Sequence, residues 1–349
     1  MAESWLERVG VRTSIMVLLL VAGCSPSSDA PASSGKDCIE RYDASTDYFP
    51  VKISPEFASN FSVEYHKAYK IVTVRRPTEG GIDKFVLLQC GAPSPSLPPE
   101  LTNATTIAIP IESLFSSSAT QMQLLVDLGR VNALAGIGQS RYVTTEAVLE
   151  RIRQGELTEY ATNDVMDTEL IILKAPSVVM SSGGYSEGYA SLRKAGIAVV
   201  ENQDWQESSA LARAEWLKFM ALFFNEEEIA NRQFDAIRDR YMTLKERTAR
   251  IPKENRPRVM TGLVYRGMFE IAGGASYVAR LISDAGGDYV WADNQAAGGT
   301  SVDLESQIAR ASDADIWING GDWKSLGAML SEEQRYKQFK AFQRGNVWS

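Results

Sequence analysis

Few side chains in this 349-residue chain are equipped for chemistry. There are 3 cysteines and 1 histidine, namely Cys24, Cys38, Cys90 and His66. A zinc or copper site built from several imidazoles and thiolates is therefore excluded. A Ser-His-Asp triad would have to recruit His66, which sits in the strand-like run Val63-Glu64-Tyr65-His66-Lys67 with no nucleophile motif beside it. A partly buried structural role suits it better. Cys38 and Cys90 would pair in an oxidising compartment, closing a loop of roughly 53 residues worth on the order of 4 kcal/mol. Two free or metal-binding thiols are the alternative. Neither a Gly-x-Gly-x-x-Gly turn, a phosphate-binding loop nor a His-Glu-x-x-His helix is present, and Gly136-Ile137-Gly138-Gln139-Ser140-Arg141 lacks the third glycine of a dinucleotide turn. No cofactor and no enzymatic activity are expected. The catalytic alternative is an exported hydrolase using carboxylates such as Asp322 or Glu187, which would need raised pKa values.

The N-terminus says where the chain works. Arg8 and Arg12 precede an uninterrupted apolar run, Ile15 to Val21, and small residues then lead to Cys24. That layout is a secretory leader over 1–23, too short to span a bilayer. The sequence Leu20-Val21-Ala22-Gly23-Cys24 resembles the bacterial lipobox, which implies acylation of Cys24. Two acyl chains hold a protein stably at about 0.8 kcal/mol per buried CH2. Residues 24–37, rich in Ser, Pro and Ala, read as a flexible tether. The expected location is the periplasm or cell envelope, with Cys24 as membrane anchor. Removing 1–23 takes away Glu3, Glu7, Arg8 and Arg12, so the net charge of −8 persists in the mature chain. No nucleic-acid partner is expected of so acidic a protein.

The remaining length must supply the scaffold. Residues 38–104 read as β-rich, with Tyr69 to Val74 and Lys84 to Gln89 forming a hairpin around Pro77-Thr78-Glu79-Gly80-Gly81. From Thr105 strands and helices alternate, as in an α/β layer fold, giving a first lobe over 105–225 that ends in one amphipathic helix, Ser209 to Phe224. Asn225 breaks the pattern and caps a second helix over 226–250, about 37 Å long at 1.5 Å per residue. Its opening glutamates suit the positive end of the helix dipole. Alternation resumes over 251–349. A strand from Arg258 to Val264 is followed there by a loop, Tyr265-Arg266-Gly267-Met268-Phe269.

Both halves together carry a resemblance. Ser113 to Thr120 followed by Leu124 to Val131, Asp167 to Met180, Leu192 to Val199, Ala212 to Phe219, and Asp303-Leu304-Glu305 through Ala314 to Trp317 are similar to the periplasmic solute-binding proteins of ABC importers, in the group that binds ferric siderophores, cobalamin or haem. Ala175 and Ser177 depart from that group's pattern. The resemblance covers 105–349 and implies two Rossmann-like lobes linked by a single long α-helix. It also implies a monomer that captures a small-molecule ligand, most readily a ferric siderophore, and hands it to an inner-membrane permease. Cobalamin and haem are alternatives. Glu169 and Glu305 match the group's permease-docking glutamates. Ser117, Arg141, Tyr142, Tyr185, Trp205, Arg266, Phe269 and Trp323 fall in the cleft loops, with Arg141 and Arg266 suited to an anionic ligand. The group's last helix would follow Trp348, so a truncated C-terminus is expected.

Overall fold

The computed structural model describes residues 38–348, apart from 78–79, 164, 184–185, 319–320 and 322. The leader, Cys24, the tether and Tyr185 lie outside the described residues.

The chain first builds a four-stranded sheet from β1 (Phe61–Tyr65), β2 (Tyr69–Arg75), β3 (Ile82–Gln89) and β4 (Thr105–Ile109), in that spatial order. β2 and β3 form the expected hairpin, with Tyr69 opposite Leu88 and Arg75 opposite Ile82. Period-two alternation turns Val72, Val74, Phe85, Leu87, Ile107 and Ile109 to one buried face. The lobe boundary expected at residue 105 is therefore displaced. Thr105–Ile109 pairs parallel with β3 and belongs to this sheet. Cys38 and Cys90 are joined by a disulfide that ties the start of the described chain to the end of β3.

The first lobe follows as β5 (Leu114–Ser116), α1 (Ala119–Asp127), β6 (Leu134–Ile137), α2 (Glu146–Arg153), β7 (Thr158–Glu159), the hairpin β8 (Ala161–Thr162) and β9 (Val165–Met166), α3 (Thr168–Lys174), β10 (Val178–Ser181), α4 (Ser186–Lys194) and β11 (Val199–Glu201). Its sheet has the order β11-β10-β5-β6-β7, parallel throughout. Gly136 in β6 is obligatory, because a Cβ there would meet the Phe115 ring at 2.7 Å.

The expected helix Ser209 to Phe224 divides into α5 (Ala210–Ala214) and α6 (Trp216–Ala221). Nor is it amphipathic, since every residue from Trp216 to Phe224 is buried. The reason is its place between layers: the N-terminal sheet covers one side and the first lobe the other, in one continuous core. Phe61 reaches across to Trp216 and Phe219 at ring-centroid distances of 5.0 and 5.4 Å. Glu215 marks the break. Its buried carboxylate accepts backbone N–H bonds from Glu56, Phe57 and Ala58 at 2.7–3.0 Å and pairs with Lys218. Glu207 does the same for Ser59 and Asn60.

α7 (Glu227–Ala249) is the long helix, 23 residues in all. At its start Lys70, inward-facing by the same alternation and fully buried, pairs with Glu227 and donates to the Asn225 side chain and the Leu222 carbonyl. Burial pushes the Lys70 ammonium pKa down, and Glu227 pulls it back up. Removing one partner of such a pair costs about 3–5 kcal/mol, because the other is left charged and dry. Towards its far end Tyr241 and Lys245 hold Asp284 at 2.9 and 3.0 Å.

The second lobe comprises β12 (Arg258–Thr261), β13 (Leu263–Tyr265), β14 (Met268–Ala272), α8 (Tyr277–Asp284), β15 (Asp288–Tyr289), β16 (Gly299–Val302), α9 (Leu304–Ala311), β17 (Ile316–Ile318), α10 (Leu326–Glu332), α11 (Lys340–Gln343) and β18 (Val347–Trp348). The parallel order β15-β12-β17-β18 packs on a core around Phe269, Trp317, Tyr336 and Phe339. The chain is thus a mixed α/β protein of two lobes. Among the described residues no helix is long and apolar enough to cross a membrane.

Candidate functional site

In parallel sheets, ligand sites form beyond the carboxyl ends of the strands. In the first lobe those ends carry Ser117 after β5, Gly138 to Tyr142 after β6, Ser182 after β10 and Trp205 after β11. Ser117 and Ser182 meet, with the Ser182 N–H donating to the Ser117 hydroxyl at 3.0 Å. Beneath them the buried Gln121 of α1 accepts from the Ser116 hydroxyl at 2.7 Å and donates to the Ser181 carbonyl at 3.3 Å. One amide thereby sets the spacing of two strand ends. Arg141 and Tyr142 lie exposed on a short turn, pinned where the Ser140 N–H and hydroxyl donate to Glu159, both at 3.0 Å. Trp205 follows Asp204, whose carboxyl pKa is raised by burial and partly restored by Arg213.

The second lobe contributes a sheet face, where the sequence suggested a loop. The expected strand Arg258 to Val264 breaks at Gly262, which has φ +127°, into β12 and β13. β13 then pairs antiparallel with β14 across Arg266-Gly267, whose φ values are 52° and 81°. Positive φ at both turn residues is the signature of a type I′ hairpin. Leu263 lies opposite Glu270, and Tyr265 opposite Met268. By alternation these four share one face, and Ala272 and Ser301 join it through pairing with β16. The other face carries Phe269, which is 1% exposed within the lobe core. Phe269 is therefore a packing residue, and its assignment to the ligand is corrected. Two hydrogen bonds brace this sheet from behind: Thr261 accepts from the Ala272 N–H at 3.1 Å, and the Tyr289 hydroxyl donates to the Ala272 carbonyl. Burial pushes the Tyr289 phenol up to about 12.

The two lobes meet around a cavity of about 310 Å³. Trp205 enters from the first lobe, and Leu263, Glu270, Ile271, Tyr277 and Ile318 from the second. Arg213 of α5 lies 4.1 Å from the centre of the Tyr277 ring, a cation–π contact between the lobes. A larger depression, about 780 Å³, lies along α8 and contains the Lys245–Asp284 ion pair.

Arg266 stands exposed at the hairpin tip, 5.1 Å from the centre of the Tyr265 ring. Trp323 packs against the second lobe's own core and folds over Gly321, so its indole serves the lobe. Glu169 and Glu305 occupy equivalent places. Asp167 caps α3 and Asp303 caps α9, and each glutamate follows its cap by two residues on an exposed surface. Glu305 is held by Arg335 at 2.7 Å. His66 stacks on Tyr69 at a turn of the N-terminal sheet, away from the cleft. Leu263, Glu270, Tyr277 and Gln121 were not singled out from sequence. The first two were findable once Arg266-Gly267 is read as a two-residue turn. Among the described residues no group of three or more His, Cys, Asp or Glu side chains gathers to hold a metal ion.

A family model described as "Periplasmic binding protein" matches residues 116–349. The chain belongs to that family. The match starts beyond the N-terminal sheet of residues 61–109. An uncharacterized lipoprotein of Methanocaldococcus jannaschii is 26% identical over 278 residues, 76% of this chain and 66% of that relative. The chain spans just under two thirds of that relative's length. A second uncharacterized lipoprotein of the same organism is 23% identical over 277 residues, covering 76% and 69%. Among solved structures, a periplasmic haem-binding protein of Vibrio cholerae has a TM-score of 0.54 at 17% identity, over 67% of this chain and 88% of that one. A periplasmic vitamin B12-binding protein of Vibrio cholerae gives 0.51 at 17%, over 68% and 87%. A possible iron-binding protein of Staphylococcus epidermidis gives 0.53 at 15%, over 68% and 89%. These likenesses speak to the two-lobed fold.

Proposed function

We propose that this protein is the lipid-anchored substrate-binding component of an ABC importer, and that it captures a chelated metal, first of all a ferric siderophore. It turns nothing over. Acylated Cys24 holds it at the cell envelope, and Glu169 and Glu305 present it to arginines of the permease. The observation that carries the reading is the cleft mouth. Aromatic and aliphatic side chains from both lobes, Trp205, Leu263, Tyr277 and Ile318, surround a cavity with few polar groups, while Arg141 and Arg266 stand exposed on the loop after β6 and the turn of the β13–β14 hairpin. Such walls suit an organic chelate shell, and guanidinium groups suit its anionic donors. Arg266 adds a further hint. A non-glycine residue held at φ 52° is a cost the fold bears at a surface position, as happens where function needs the side chain.

Haem is the second reading, favoured by Tyr265 and Met268, which are exposed cross-strand neighbours on the second lobe's hairpin and are both haem-ligand types. Tryptophan-fluorescence titration of the chain from Ser25 onward separates these. The panel holds ferric hydroxamate, citrate and catecholate chelates, cobalamin and haemin, each beside its metal-free form. Saturable quenching by a ferric chelate alone supports the first reading, and a haemin-only response with a shifted Soret band supports the second. Silence across the panel from folded protein overturns both.

A further inference from the structure

We propose that Glu270 makes the inner cavity a subsite for a cationic arm of the ligand, so that the preferred cargo carries a protonated amine or similar cation besides whatever meets Arg141 and Arg266. This rests on the binding-protein reading above and names a feature of its ligand.

The cavity wall is mostly apolar, with the hydroxyls of Thr261, Ser276 and Tyr277 and a single charged group among its described residues. Leu263, Ile271, Ala272, Val278 and Ile318 line it with Trp205 and Tyr277, and among the described residues Glu270 is its one carboxylate. Glu270 lines the cavity from β14, opposite Leu263 of β13, which lines it too. Its hydrogen-bond partner is a neutral one, the Ser301 hydroxyl on the neighbouring strand. Among the described residues no Lys or Arg stands within ion-pair distance of it.

In the open cleft water solvates this half-buried group. A ligand that fills the cavity strips that water away, and a carboxylate buried without a cation or strong donor costs several kcal/mol. Neutral apolar arms and anionic arms both incur that cost. A protonated amine removes it through a charge-assisted hydrogen bond. The aromatic neighbours favour the same choice, since indole and phenol faces attract cations. The Tyr277 ring already does so on one side, where Arg213 rests at 4.1 Å from its centre. At about 310 Å³ the cavity lies at the small end of ligand pockets, a size for an arm or head group.

The test uses the full chain and isothermal titration calorimetry with two matched pairs of probes. The first pair is 4-phenylbutylammonium and 4-phenylbutanol, which differ in charge at one end. Wild type should bind the ammonium about tenfold or more tighter, and Glu270→Gln, which keeps the shape and a partner for Ser301, should erase the preference. Equal binding of the two in wild type, or a preference that survives Glu270→Gln, overturns the subsite. The wild-type comparison decides even if the variant folds poorly. The second pair is a ferric trihydroxamate with a free amine arm and its N-acetylated form. Ammonium preference with no binding of either chelate keeps the subsite and removes the siderophore reading. Chelate binding without ammonium preference does the reverse.

Discussion

Single residues here are decided by which way a strand faces them. Phe269 and Glu270 are neighbours in sequence, yet one is core and the other lines the cavity, since successive side chains of a strand point to opposite faces. Lys70 follows the same logic. Its alternation partners Val72 and Val74 turn inward, so the lysine goes with them and requires Glu227 and Asn225 to satisfy it. Asp204 is a third case, and it bears on pH. Burial raises its carboxyl pKa above the usual 3.8. The folded state thus favours the protonated form. Its contribution is fully present below 3.8, where both states are protonated, and is lost as pH rises through the raised value. At neutral pH the buried carboxylate is a net cost. Asp204→Asn should therefore match wild type in denaturant melts near pH 4 and gain on it towards pH 7. A variant that loses ground over that range would show that Arg213 and the surrounding donors outweigh the burial.

At the scale of elements, the hairpin of β13 and β14 is the part most shaped by function. Its two-residue turn suits Asn-Gly best, but here holds Arg266-Gly267. A left-handed conformation costs an L-residue roughly 1–2 kcal/mol, and asparagine tolerates it better. Arg266→Asn should raise stability by about 1 kcal/mol while weakening the binding of an anionic chelate. Lost stability in thermal melts would instead assign the guanidinium a structural task through its stacking on Tyr265. The helical layer 210–224 teaches the opposite lesson. Its apolar residues look like one face of an amphipathic helix, but from Trp216 to Phe224 they are buried all round because two sheets flank them.

The whole molecule is a two-lobed protein whose connecting helix is pinned at both ends. Lys70 and Arg130 hold Glu227 and Glu226 at its start, and Asp284 gathers Tyr241 and Lys245 near its end. Bending such a strut breaks backbone hydrogen bonds, so small lobe movements are expected on binding. The proposed docking surface belongs to this scale, since it needs one glutamate from each lobe at a set separation. Charge reversal by Glu169→Arg with Glu305→Arg should abolish uptake in cells while ligand affinity stays within about a factor of two. Normal uptake in the double variant would remove both residues from docking. The single variants should differ, because Glu305 must first leave Arg335 whereas Glu169 stands exposed.

By itself the sequence determined the α/β class, the long helix, the β2–β3 hairpin and the two equivalent Asp-x-Glu helix starts. All of these are local: periodicity, caps and turn residues are set within a few positions of one another. It also carried the family, through many moderate matches over both lobes. Tertiary structure alone decided that Thr105–Ile109 joins the N-terminal sheet, that Glu215 to Phe224 is buried on every side, and that Trp205 and Glu270 come to line one cavity. Those outcomes depend on which sheet a strand finds and which layer covers a helix. Both are settled by contacts between residues far apart in the chain, and no local pattern encodes them.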